Sequence, residues 1–196
     1  MAQEERMATN MSIRGAIVAI EEIMGEKATK MIFNKANQKN VYENPPEYNF
    51  EPCIKVSEQA AIYRVIMDLM GFKGGIVLWR RIGYTAMKFA VDIGHLLDSF
   101  ASLPPKEIFN KGVDIFVTVT GKGKLVISEE GLAEFDSFDC LSCEGYSYSR
   151  PVCSHYEGAI QYLSDWAFGK DVYIAREVLC KAKGDDTCYV KLVKKE

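Results

Sequence analysis

Apolar positions recur three and four apart from Ile13 onward, at Ile13, Ala16, Ile17, Ile20, Ile23 and Met24. That spacing lays one apolar stripe along a helix, with Ser12 placed to cap it. Gly25 ends this helix, and a second covers about Glu26 to Asn37. A loop broken by Pro45, Pro46 and Pro52 follows. Two further helices are predicted over about Ser57 to Met70 and Gly74 to Ile93, the latter with a break at Gly83. A faint echo aligns Met24, Gly25 and Lys27 with Met70, Gly71 and Lys73.

After "SLPPKE" the period changes. In "VDIFVTVT", Val113, Ile115, Val117 and Val119 alternate with Asp114, Phe116, Thr118 and Thr120, which predicts a strand. "GKG" then turns the chain into "KLVIS", giving a hairpin, and "LAEFDSFDC" is a candidate third strand. "SHYEGAIQYLSDWAF" reads as a helix with Ile160, Leu163 and Ala167 inward, joined by Tyr162 and Trp166, and Gly169 stops it. Asp171 to Leu179 and Thr187 to Val193 form a last hairpin around Gly184. The order of helices, strands, helix and strands is that of an α+β fold, a helical layer packed on an antiparallel sheet. Residues 1–11 read as a flexible tail and 12–196 as one domain, with 12–55 a helical extension and 56–196 the core.

Composition narrows the function. Of 196 residues 48% are hydrophobic, enough for a sizeable core, and the net charge is only −3. No basic block exists to neutralise phosphates, so nucleic acid is not an expected partner. The longest apolar runs fall short of the ~18–20 residues of a membrane span. The polar start "MAQEERMATN" lacks a secretory pattern, so a cytoplasmic protein is expected. In a reducing compartment six cysteines point to metal ligands or reactive thiols more than to disulfides.

"REVLCKAKGDDTCYV" carries the chemistry. With Gly184 at the tip, Cys180 and Cys188 oppose each other across the ladder, where paired Cβ atoms lie ~4.5–5.5 Å apart. Two thiolates there can pinch one tetrahedral ion. Glu177 would point to the opposite face unless a bulge intervenes before Cys180. Cys153 in "RPVCSHYEG" is the best-placed fourth donor. Cys153, Glu177, Cys180 and Cys188 would make a closed, structural zinc site. The same spacing equally fits two buried thiols in a hairpin. Cys140 and Cys143 form a true CxxC that fits rival ligands, a second metal, a redox dithiol or a buried idle pair.

The stretch from Pro151 to Leu192 resembles the C-terminal signature of the 4-vinyl reductase domain family. The matching positions are Pro151, Val152, Cys153, Gly158, Gly169, Glu177, Cys180, Gly184 and Cys188. "LMGFKGGIVLWRRIGYTAMKFA" is similar to a weaker family segment, and the first 50 residues carry little resemblance. The family includes predicted hydrocarbon-binding proteins and the aromatic-sensing domains of bacterial regulators. In those sensors three cysteines and a glutamate bind zinc. The related fold is shared with haem-based NO sensors and a vesicle-tethering (Golgi-transport) family, often as homodimers.

The resemblance implies an apolar pocket between helices and sheet. Trp79, Tyr84, Phe116 and Phe135 are candidate lining residues, each also fit for ordinary core packing. The sensors anchor a phenol hydroxyl with a histidine, yet none lies near Pro104 to Phe109. His95 is a candidate anchor instead, and a purely apolar or larger ligand fits better than phenol. His155 is expected beside the metal site or exposed. No nucleotide motif or catalytic dyad is legible, so binding is favoured over catalysis. The expected function is a zinc-stabilised carrier or sensor of a small hydrophobic or aromatic molecule, signalling through a protein partner. The alternatives are an enzyme or accessory factor in tetrapyrrole or aromatic metabolism, and an assembly module with a vestigial pocket.

Overall fold

The computed structural model describes residues 6–120, 123–138, 140–143 and 147–195. Strand β1 (Met7–Thr9) leads into helix α1 (Asn10–Met24), followed by α2 (Glu26–Lys35), α3 (Lys39–Glu43) and β2 (Pro52–Lys55). Of the expected tail, residues 7–11 are thus structured, and residues 1–5 lie outside the described residues. β1 pairs antiparallel with β2, so the chain enters α1 three residues earlier than expected. Thr9, not Ser12, is the cap, its hydroxyl accepting from the Ser12 N–H at 3.3 Å.

Helix α4 runs from Val56 to Asp92 with its one non-helical residue at Gly71 (φ 66°, ψ 175°). The expected break at Gly83 does not occur. Gly25 has nearly the same conformation as Gly71 (φ 79°, ψ 163°), so the two echoed segments bend the chain alike.

Helix α5 (Pro105–Thr120) replaces the expected strand "VDIFVTVT". Its start explains why. Pro105 occupies the first helical position and Glu107 the first turn, both favourable at a helix N-terminus. Burial of Ile108, Phe109, Gly112 and Val113 follows the helical period, and Val119 is left exposed. Thr118 and Thr120 hydroxyls bond back to the Asp114 and Phe116 carbonyls. The expected "GKG" turn falls on Gly121 and Lys122, outside the described residues.

Four strands complete the fold: β3 (Lys124–Ile127), β4 (Ala133–Ser137), β5 (Tyr173–Leu179) and β6 (Cys188–Lys194), in the antiparallel order β3-β4-β6-β5. Helix α6 (Ser154–Phe168) packs between this sheet and α4, and α1 packs on α4 in turn. Residues 12–55 therefore join the same core as the rest. β5 is an edge strand, and α6 covers it: Gln161 and Glu157 accept from the Ala175 and Glu177 N–H groups at 2.9 and 2.7 Å. Arg80 of α4 completes the tie, reaching Glu157 at 3.0 Å and the Ala175 carbonyl at 3.3 Å. Among the described residues no helix is long and apolar enough to cross a membrane.

Helices α4 and α6 cross at two glycines. A Cβ on Gly83 would lie 1.8 Å from the His155 carbonyl oxygen, and one on Gly158 would lie 1.9 Å from that of Arg80. Backbone meets backbone there, so nothing flexible can yield. Gly158→Ala is expected to destabilise the fold by at least about 1–3 kcal/mol, the usual cost of overpacking. Denaturant unfolding checks this, and an unchanged midpoint would contradict the contact.

Candidate metal centre and adjoining cavity

The last hairpin aims its chemistry inward through a bulge. Glu177 pairs with Val190, and Leu179 with Tyr189, so Val178 and Leu179 together face a single residue. Both are exposed, at 39% and 40%, whereas Glu177 and Cys180 on either side are 9% and 0% exposed. Without the bulge Glu177 and Cys180 would face opposite ways. Cys188 enters from β6 beneath Ser137. The Cys180 N–H donates to Asp185 at 2.7 Å, closing the tight Gly184 turn that sets the two cysteines opposite each other.

Cys153 sits just before α6, and its N–H donates to Glu177 Oε2 at 2.8 Å. Its sulfur lies 3.4 Å from that of Cys188. The CxxC pair joins the same cluster: Cys140 and Cys143 Sγ lie 3.0 and 3.1 Å from Cys153 Sγ. Cys143 also reaches Cys188 at 3.4 Å and Cys180 at 3.6 Å. Two donor quartets result, Cys140/Cys143/Cys153/Cys188 and Cys153/Glu177/Cys180/Cys188, each with its ligand atoms within 4.8 Å of one another. Cys140 and Cys143, expected as rival ligands, a second metal site, a redox dithiol or an idle pair, thus lie in the same cluster as Cys153 and Cys188. Cys53 stands apart, half-buried.

So many acids cannot ionise independently. Hydrogen bonds from Cys143 and Cys153 hold Cys140 well below the usual thiol range. Burial, with the neighbouring sulfurs, pushes Cys153 well up. Cys180 is pushed up by Cys143 but more strongly lowered by Cys153 and Cys188, to about 6. Burial and then the charge at Cys180 push Glu177 up to about 10. Glu177 Oε1 is buried without a hydrogen-bond partner among the described residues. A buried carboxylate with an orphaned oxygen beside five sulfurs is a donor set for a soft, tetrahedral cation.

A cavity of about 110 Å³ begins two residues along α6. His155, Tyr156 and Ala159 form one wall, Ile82, Gly83, Met87 and Ala90 of α4 a second, and Met11, Phe50 and Phe116 close the rest. Polar side chains there are Thr9, Ser12, Gln59, Tyr63, Thr120, His155 and Tyr156. Gln59 Nε2 donates to Ser12 Oγ at 2.7 Å. Phe135 stands behind the wall, its ring 5.2 Å from Phe116 and 4.9 Å from Tyr156. Trp79 is buried against Tyr63 at 5.1 Å and does not line the cavity. Tyr84 lies in a separate polar surface groove, its hydroxyl donating to Asp165 at 3.1 Å. His95 is on the surface, paired with Asp98 at 2.8 Å, and does not line the cavity. The histidine that does is His155, its ring tilted against Tyr156 with centroids 3.8 Å apart and its Nδ1 3.2 Å from Ser142 Oγ. Its place in the first turn of a helix, two residues after a metal-type cysteine, was the signal available in the sequence.

No protein-family model and no curated protein matches the chain. Solved structures do. An oxygen-binding H-NOX domain related to soluble guanylate cyclases, in its oxygen complex, matches with TM-score 0.61 and 15% identity over 96% of each chain. An H-NOX protein from S. oneidensis in the Fe(II)NO state matches with TM-score 0.57 and 12% identity over 93% of this chain and 99% of its own. The phenol-responsive sensory domain of the transcription activator PoxR, with phenol, matches with TM-score 0.57 and 18% identity over 74% of this chain and 77% of its own. The fold is shared with these domains.

A further H-NOX structure of the same fold concerns haem distortion, which makes haem a candidate occupant of this cavity. It does not fit. About 110 Å³ is well below the ~300–1,000 Å³ that larger ligands occupy. Of the two histidines, His95 faces solvent, and the His155 ring lies between Tyr63 and Tyr156 with its Nδ1 3.2 Å from Ser142 Oγ.

Metal binding at the sulfur centre must displace protons from its thiols and from Glu177. Affinity for zinc is therefore expected to rise by at least about tenfold from pH 6 to pH 8. Competition against a chelator at each pH measures it, and equal affinities would contradict the donor assignment.

Proposed function

We propose that the chain is a metal-clipped binding domain for a small, largely apolar molecule, acting as a sensor or carrier. The observation that supports this most directly is the start of α6. Cys153 is in the sulfur centre, and His155 and Tyr156 are in the cavity wall. A second link runs from Ser142, inside the CxxC, to His155. The clip and the cavity thus share one helical turn.

Zinc is the ion that best suits the donors. Thiolate-rich, buried, four-donor sites favour it, and a site closed by protein ligands is structural. Cys153, Glu177, Cys180 and Cys188 would hold it, with Cys140 and Cys143 in contact. Binding would contribute on the order of 10 kcal/mol to folding.

The cavity sets the ligand. An apolar cavity of about 150 Å³ takes benzene. At about 110 Å³ this one is smaller, so a short hydrocarbon or at most a single ring is the size limit, and a tetrapyrrole is too large. The PoxR sensory domain, which shares the fold, is described as phenol-responsive. Gln59, Tyr63 and His155 offer an edge for one polar substituent. Homodimer formation and a protein partner that reads the occupied state belong to the same reading, as does a reducing, cytoplasmic setting.

Benzene and phenol are the probes. Either is expected to bind the zinc-loaded protein and raise its melting temperature. Ala159→Leu, which fills the cavity from α6, should abolish the shift while leaving zinc content intact. Removing zinc under conditions that keep the chain folded should weaken binding at least about tenfold. A panel of single-ring and short-chain apolar compounds that leaves the melting temperature unmoved would overturn the reading.

A further inference from the structure

We infer that the sulfur centre holds two metal ions, bridged by the thiolates of Cys153 and Cys188. This rests on the zinc reading above and goes beyond its single ion. A tetrahedral ion takes four donors, and the cluster presents six: five sulfurs and the Glu177 carboxylate. The two donor quartets differ at their ends and share only Cys153 and Cys188. Cys140 and Cys143 complete one quartet, Glu177 and Cys180 the other. Six ligands with two shared is the count of a pair of tetrahedra joined along an edge, the arrangement that a six-cysteine, two-zinc module also requires. The shared edge is present, with Cys153 and Cys188 Sγ 3.4 Å apart.

A single ion leaves one end unexplained. Held by the Glu177 end, it would leave Cys140 and Cys143 as spare thiols 3.0 and 3.1 Å from a ligand sulfur. Held by the CxxC end, it would leave the buried Glu177 Oε1 with no partner. Charge points the same way. Fully ionised, the six donors carry roughly −6, so one divalent ion would leave about −4 in a buried site and two about −2. The Lys181 N–H, 3.3 Å from Cys188 Sγ, adds a donor to one bridging sulfur. The second ion would have to open the 3.6 Å contact between Cys143 and Cys180, which belong to opposite ends.

The test is metal stoichiometry. Protein isolated without chelators is saturated with zinc, desalted, and measured by elemental analysis and native mass spectrometry. Two zinc ions per chain are expected. The double variants Cys140→Ser/Cys143→Ser and Glu177→Gln/Cys180→Ser, each checked for fold by circular dichroism, should each keep one. With cobalt(II) in place of zinc, the wild type should show the weakened paramagnetic signal of a bridged pair, and each double variant the full signal of an isolated ion. One zinc in the wild type, unchanged in the CxxC variant, would overturn the two-ion centre and leave the single clip standing. No zinc at all would overturn both.

Discussion

Five buried sulfurs and a carboxylate brought to one point form the constraint on which the rest depends. Side chains of this kind do not gather in a core for hydrophobic reasons alone, because the acids among them resist joint ionisation. A bound ion would reverse that logic by making the thiolates ligands. The centre then joins three stretches of chain: the CxxC, the start of α6 and the β5–β6 hairpin. Polar ties continue the connection outward, with Glu157 and Gln161 pinning the edge of β5 and Arg80 binding both to α4.

The cavity inherits its shape from that connection. Its two principal walls are α4 and α6, held at glycine-to-backbone distance by Gly83 and Gly158. No side chain can adjust at such a crossing, so the angle between the helices follows the anchoring at Cys153. Coupling is short-range: burial first, and then the neighbouring Cys140, push the Tyr156 hydroxyl well up, so it keeps its proton. In the proposed reading, a change in metal occupancy would have one helical turn to cross before it reached a ligand.

Much of this was readable in the chain. The bulge between Glu177 and Leu179 follows from needing Glu177 and Cys180 on one face, and the helix from Ser154 follows from its stripe of apolar residues. What was not readable has identifiable causes. Alternating β-branched residues in 113–120 imitate a strand, but the helix is set from its Pro105 start and by burial at helical spacing. Gly83 looks like a breaker in isolation and serves as a contact once α6 lies against it. His95 was the candidate anchor and His155 was expected beside the metal site or exposed, and packing reverses them, leaving His95 on the surface and His155 in the cavity wall. Cys140 and Cys143 could not be assigned because their approach to Cys153 spans a loop with no periodic signal.

The most direct test of the central claim is hydrogen exchange read by mass spectrometry, with and without bound metal. The account predicts that removing the metal strips protection from the first turns of α6 and from the β5–β6 hairpin, and leaves α1 and α2 protected. Equal protection of α6 and the hairpin in both states would contradict it, because the sulfur centre would then not be what holds the cavity wall in place.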